Sequence, residues 1–334
     1  MNIKSKKVLV AGGAGFVGSQ MVRELLDLGA IVVVYDNLLH GTMENLVEVK
    51  NKIEIVIGDI LDEWKLINSL QRIKPDYVFD FVGDTYVPTA YDIPKRFFNI
   101  NTIGTMNLLL ACQFVGVERI LYVSSTEVYG QPVKDVPMTE EHILNPYNTY
   151  AVSKVAADRL CYTLNRERDI PVIIARIYNS YGPRETEPYI IPEIISQLDK
   201  GNILHLGNVK ARRDFTYVSD TCKGLIAAML SNIPNGEAVN VGSGNDYSVE
   251  ELVRLVAKIM NKEYEIVIDP KRLRKFDIDI FLCNPFKLMR ATGWKPTIDI
   301  ETGLGMTIDW YRAHGRKWSW ESWTEGTVLF NGKA

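Results

Sequence analysis

The chain has little of what builds metal centres or disulfide frameworks. Its 334 residues hold four cysteines and four histidines. Cys112, Cys161, Cys222 and Cys283 are widely scattered, and none forms a Cys-x-x-Cys pair or lies beside a His-rich stretch. That argues against a zinc site and for reduced thiols in a cytosol. No apolar run approaches the roughly 18 residues of a spanning helix. The first apolar stretch, Val8 to Gly13, is too short for a secretory h-region. A net charge of −3 gives no basic field to attract nucleic acid or an anionic membrane. Basic residues cluster at Lys210, Arg212 and Arg213 and again from Lys271 to Lys275, short groups that suit a small phosphorylated ligand or a solvated surface. Internal repeats and low-complexity tracts are also lacking. The expectation is a soluble, cytoplasmic protein that binds neither nucleic acid nor membrane.

What is present is an ordinary globular composition, 46% hydrophobic and 24% charged, with a strong order along the chain. Short Val/Ile-rich runs alternate with stretches of helical period. Strands are expected at Lys7–Ala11, Ile31–Asp36, Ile53–Ile57, Tyr77–Val82, Arg119–Ser124 and Pro171–Ala175. Helices are expected at Val17–Leu28, Glu63–Arg72, Pro94–Val115 and 148–168. Continuous apolar strands separated by helices predict a parallel sheet covered on both faces, an α/β doubly wound (Rossmann) fold. After about residue 178 the pattern becomes irregular. Residues 1–178 therefore read as a dinucleotide-binding domain, and 179–334 mainly as a smaller C-terminal α/β substrate-binding lobe with some segments returning to the core. Trp310, Trp318, Trp320 and Trp323 are expected to pack a terminal extension onto the body or a neighbouring subunit.

Two motifs carry chemistry. Gly12-Gly13-Ala14-Gly15-Phe16-Val17-Gly18 links the first strand to the first helix, where glycines let backbone N–H groups approach a pyrophosphate. Asp36 and Asn37 end the second strand. A carboxylate there accepts from ribose hydroxyls and repels a 2′-phosphate, favouring NAD over NADP. Gly58-Asp59-Ile60 could reach the adenine edge, or Asp59 could be a turn residue. The second motif is Tyr150-x-x-x-Lys154, a phenol and an ammonium on one helix face. A nearby cation would pull the phenol toward neutrality, where it exchanges protons with an alcohol efficiently. The plainer alternative is an exposed Tyr and Lys.

These motifs occur in order with Val123 to Gly130, Arg176-Ile177-Tyr178-Asn179, Arg213 to Asp220 and Asn240 to Gly244. Over about residues 6 to 310 the chain resembles the extended short-chain dehydrogenase/reductase family that acts on nucleotide-diphosphate sugars. The resemblance implies an enzyme that binds NAD and a nucleoside-diphosphate sugar. It implies that Tyr150 takes the proton of a sugar 4-hydroxyl, that Ser125 bonds the same oxygen, and that Lys154 holds the nicotinamide ribose and lowers the tyrosine pKa. Gly12, Gly15, Phe16, Val17, Gly18, Asp36, Asn37, Asp59 and Ile60 would form the cofactor site. Thr85, Asn179, Arg213 and Arg274 would meet the substrate, and Arg212 would be a solvated neighbour. It also implies a homodimer formed through the helices at 95–115 and 148–168 as a four-helix bundle.

The resemblance leaves the outcome at the sugar open. Glu127, beside Ser125 and Thr126, is a carboxylate where simple 4-epimerases usually have none, so a 4,6-dehydratase is the first expectation. A 4-epimerase, a uronate decarboxylase, a net C4 dehydrogenase and a non-catalytic NAD-binding regulator remain alternatives. The segment Asp80-Phe81-Val82-Gly83-Asp84-Thr85-Tyr86 departs from the family pattern and suggests an altered sugar pocket, with Asp80 read as a buried strand-end acid bonded to backbone.

Overall fold

The computed structural model describes residues 2–132, 137–274 and 276–314. In chain order the first half contains β1 (Lys7–Ala11), α1 (Phe16–Asp27), β2 (Ile31–Asp36), β3 (Glu54–Ile57), α2 (Glu63–Ile73), β4 (Tyr77–Asp80), α3 (Val87–Ala90), α4 (Pro94–Phe98), α5 (Thr105–Val115), β5 (Arg119–Ser125), α6 (Thr149–Arg168) and β6 (Val172–Ile177). The second half adds β7 (Asn179–Tyr181), α7 (Ile190–Lys200), β8 (Ile203–Leu206), β9 (Arg212–Tyr217), α8 (Val218–Leu230), β10 (Ala238–Val241), β11 (Asp246–Ser248), α9 (Val249–Met260), β12 (Glu265–Ile268), β13 (Ile280–Phe281), α10 (Phe286–Thr292) and α11 (Ile300–His314).

Seven strands form one sheet in the order β10-β6-β5-β4-β1-β2-β3, and every neighbouring pair is parallel. The chain winds outward from β1 in both directions, so the order reverses between β1 and β4. A crevice at the carboxyl ends of the strands is expected at that switch point. Strand β10 lies well beyond residue 179 yet completes the sheet's edge. Its partners are register-matched on β6, Asn240 opposite Arg176. Two apolar layers cover the sheet, one including Val8, Val10 and Met21, the other Leu9, Leu66 and Leu109. A third cluster, with Ile194, Leu204 and Leu304, fills the smaller lobe. There β9 pairs with β7, β11 and β13, and β12 pairs with β8.

The single helix expected over Pro94–Val115 is instead α4 and α5 joined by a π-helical turn, Asn99–Gly104. A side chain inserted toward the neighbouring backbone explains it. Asn101 is fully buried; its Oδ1 accepts from Asp84 N–H at 2.8 Å, and its Nδ2 donates to the Asp84 carbonyl at 3.0 Å and Ser153 Oγ at 2.9 Å. The other boundaries shift by a residue or two, as with β4, which stops at Asp80 rather than Val82. Trp318, Trp320 and Trp323 lie outside the described residues. Trp310 packs against Tyr311 and stacks on His314 at 4.4 Å between ring centroids. No helix among the described residues is long and apolar enough to cross a membrane.

Candidate active site

One cavity of about 1120 Å³ runs across the carboxyl ends of the central strands and under the smaller lobe. Its first wall is the turn from β1 into α1. Gly12 has φ of +76°, and a Cβ there would press within 2.9 Å of the Phe81 carbonyl carbon. A Cβ on Gly18 would collide with the Gly12 carbonyl. Only glycine allows this close turn. Helix α1 follows Gly15, which offers no side-chain cap, and has no acidic residue in its first turn, so its leading N–H groups are ready anion donors beside the cavity.

Asp36 stands at the end of β2. Its carboxylate accepts from Ala14 N–H at 2.9 Å and Leu38 N–H at 2.8 Å, and burial raises its pKa against those two bonds. Gly12, Gly15, Phe16, Val17, Gly18, Asp36, Asn37 and Ile60 all line the cavity. Asp59 does not. It accepts from Leu61 N–H at 2.8 Å and from Asn37 Nδ2 at 3.0 Å, which makes it the turn residue and a support for Asn37. An uncapped helix start, a glycine cradle and a carboxylate at the end of β2 together fit a dinucleotide lacking a 2′-phosphate.

The second wall brings together Ser125, Thr126 and Glu127 after β5 with Tyr150 and Lys154 on α6. Helix α6 begins at Thr149 because Asn148 caps it, Oδ1 accepting from Ala151 N–H at 2.8 Å. The Tyr150 phenol is not pulled down as the Tyr–Lys spacing suggests. Burial raises its pKa, the Ser125 hydrogen bond opposes that rise, and the Glu127 charge adds to it. Desolvation of a buried phenol outweighs its partners here. Lys154 donates to the Val123 carbonyl at 2.7 Å and lies 4.7 Å from the Tyr122 ring centroid. Burial brings the Lys154 ammonium down to about 8, with the Asp80 charge opposing the fall. Asp80 is buried and accepts from Val82 N–H at 3.1 Å, and burial lifts its carboxyl to about 6. It is thus both the backbone-bonded strand-end acid and the charge nearest in effect to Lys154.

The third wall belongs to the smaller lobe. Arg213 donates to Asp277 at 3.1 Å and to the Arg212 carbonyl at 2.8 Å. Arg274 approaches Glu127 at 3.9 Å. Thr85 is hydrogen-bonded to Tyr189 at 2.8 Å, and Asn179, Arg213 and Arg274 line the same space. Arg212 does not line the cavity; its exposed guanidinium is held at the surface by Asp246 and by Glu251 at 3.0 Å. No cluster of metal-ligating side chains occurs among the described residues.

Sequence reasoning missed a bridge in the cavity wall. His40 Nε2 meets Asp84 at 2.7 Å, its Nδ1 meets Glu187 at 2.9 Å, and Arg96 Nε lies 2.8 Å from Asp84. The hydrogen bonds to Asp84 and then Glu187 push His40 up to about 9, against burial. A raised value means the stabilisation is complete below the ordinary 6.5 and is lost as pH rises through about 9. His40→Asn should therefore lower the melting temperature at neutral pH, and the deficit should vanish by about pH 10. Solvent reaching the imidazole, 40% exposed, keeps the effect small.

The comparisons agree with this architecture. The family model described as GDP-mannose 4,6-dehydratase matches residues 9–307. A GDP-6-deoxy-D-mannose reductase of Pseudomonas aeruginosa is 33% identical over 316 residues, covering 92% of this chain and 97% of the relative. The structure of UDP-glucose 4-epimerase from Thermotoga maritima with UDP-glucose superposes with a TM-score of 0.85 at 29% identity, covering 92% of this chain and 99% of that one. The dTDP-glucose 4,6-dehydratase of Bacillus anthracis, in complex with NAD, gives 0.84 at 27% identity, covering 94% and 99%. The chain belongs to the GDP-mannose 4,6-dehydratase family, within the nucleotide-sugar dehydratases and epimerases of the extended short-chain dehydrogenase/reductase type.

Proposed function

We propose that the protein is an NAD-dependent nucleotide-sugar 4,6-dehydratase. The observation that carries the reading is the carboxylate of Glu127 in the same cavity as Ser125 and Tyr150, with Arg274 beside it. A C4 epimerisation needs no base at C5, whereas an elimination does. When bound, NAD would accept the C4 hydride and return it to C6 after elimination. Tyr150, in the same cavity as Ser125, would take the proton of the 4-hydroxyl as hydride departs. The resulting ketone acidifies C5–H, and Glu127 would remove that proton. Once protonated, Glu127 can give it to the departing C6 hydroxyl, which leaves as water. C5 then regains a proton from solvent, balancing the one held by Tyr150. Arg213 and Arg274 would hold the diphosphate through planar guanidinium forks, and Asn179 and Thr85 would border the sugar. The exposed Ile103, Phe114 and Val152 on the α4–α6 face support a homodimer through those helices.

The test is incubation with UDP-, dTDP- and GDP-hexoses and product analysis by mass spectrometry. Loss of one water supports the reading; unchanged mass with inverted C4 sinks it. Glu127→Gln should depress water loss by roughly a hundred- to ten-thousandfold, while reduced cofactor still accumulates from C4 oxidation.

A further inference from the structure

We propose that Asn148 is a positioning residue that aims the Glu127 carboxylate, an assignment that rests on reading Glu127 as the C5 base. The cap geometry fixes the amide of Asn148 without ambiguity. Its Oδ1 accepts from the Ala151 backbone N–H at 2.8 Å, and a backbone N–H can only donate. The amide oxygen is therefore committed to α6, and the nitrogen must face the other way. There Nδ2 donates to Glu127 Oε2 at 3.2 Å.

This bond settles which oxygen of Glu127 is available. Oε2 is held as an acceptor, while the Glu127 backbone N–H is tied to Ser125 Oγ at 3.2 Å. Oε1 is left toward the cavity, where Arg274 lies 3.9 Å away. Arg213, Tyr150 and Tyr91 also feel the Glu127 charge. Asn148 caps the helix whose second residue is Tyr150, so one side chain sets both the start of α6 and the direction of the carboxylate. The proton acceptors for the 4-hydroxyl and for C5 are thereby held in a fixed relation. A misplaced base would cost the second proton transfer while sparing the first.

Two variants separate aiming from capping. Ser and Asp both cap helices well, so Asn148→Ser keeps the cap and loses the donor, and Asn148→Asp replaces the donor with a repelling carboxylate. Each is assayed in D₂O with UDP-, dTDP- and GDP-hexoses, following reduced cofactor for C4 oxidation and deuterium at C5 for the second step. We expect cofactor reduction to stay within about twofold, and C5 exchange to fall roughly 10- to 100-fold, the weight of a hydrogen bond to a charged group. In Asn148→Asp the acidic limb of the C5-exchange profile should also move to higher pH, because a second carboxylate disfavours the ionised base. Unchanged exchange in both variants, or an equal fall in both steps, would overturn the aiming role. If the unaltered enzyme places no deuterium at C5, or Glu127→Gln exchanges normally, the C5-base reading itself fails and takes this assignment with it. Exchange that depends on Glu127 but not on Asn148 overturns the positioning role alone.

Discussion

Tyr150→Phe should lower the rate of C4 oxidation by roughly a hundred- to ten-thousandfold, the range for loss of a positioned acid–base group, while leaving the fold in place. The ring is buried and meets Phe97 edge-on, with centroids 6.2 Å apart. Phenylalanine keeps that packing and removes only the hydroxyl, which Ser125 influences. Burial holds the phenol above its ordinary value, so proton transfer needs a cation brought to bear on it. Lys154 is the candidate on the same helix face, although here its ammonium donates to the Val123 carbonyl. The measurement is single-turnover reduction of bound cofactor in the presence of the nucleotide sugar, alongside a melting curve. A rate within tenfold of the unaltered enzyme, with an unchanged melting temperature, would remove Tyr150 from the chemistry. A basic limb should also appear near pH 8, where Lys154 loses its charge, and Asp80→Asn should move that limb lower by removing the carboxylate that favours the ammonium.

The doubly wound sheet could be read in the sequence because its inner strands are buried on both faces and appear as nearly unbroken apolar runs. The cofactor wall was readable for a different reason: the turn at Gly12 and Gly18 admits no side chain, so the constraint lies in the residue type itself. What escaped were arrangements created by folding. His40 and Glu187 stand 147 positions apart, and nothing local in either segment announces the other. The π turn at Asn99–Gly104 depends on the reach of Asn101 to the 83–85 loop, whereas the apolar period on either side fits one continuous helix. The helix expected over 148–168 takes in Asn148, which in the folded chain is its cap. The second bond of Asn148, to Glu127, arises only when β5 and α6 are packed together. The Arg212 and Arg213 pair shows the same limit. Adjacent on β9, they point to opposite faces of the strand, and only register decides which one reaches the cavity.

Removing Asp158 should be among the most damaging single changes to stability, because it would leave a buried guanidinium without its counter-charge. Asp158 on α6 is fully buried. It accepts from Arg176 Nε and Nη2, each at 2.9 Å, and from Ser124 Oγ at 2.9 Å, which ties α6 to β5 and β6 together. Arg176 also donates to the Tyr129 hydroxyl at 3.0 Å, which in turn donates to Asn240 on β10 at 2.7 Å. Asp158→Ala breaks the bidentate pair but leaves Arg176 in place, at a cost of about 3–5 kcal/mol. Asp158 is one helical turn beyond Lys154, so the loss should loosen the segment that carries Tyr150 as well. Replacing both partners, Asp158→Leu with Arg176→Met, removes the stranded charge and should be less destabilising than Asp158→Ala alone. Urea unfolding decides the matter: the midpoint should fall sharply for Asp158→Ala and recover in the double variant. A double variant no more stable than Asp158→Ala would mean that the surrounding bonds, rather than the unpaired charge, set the cost.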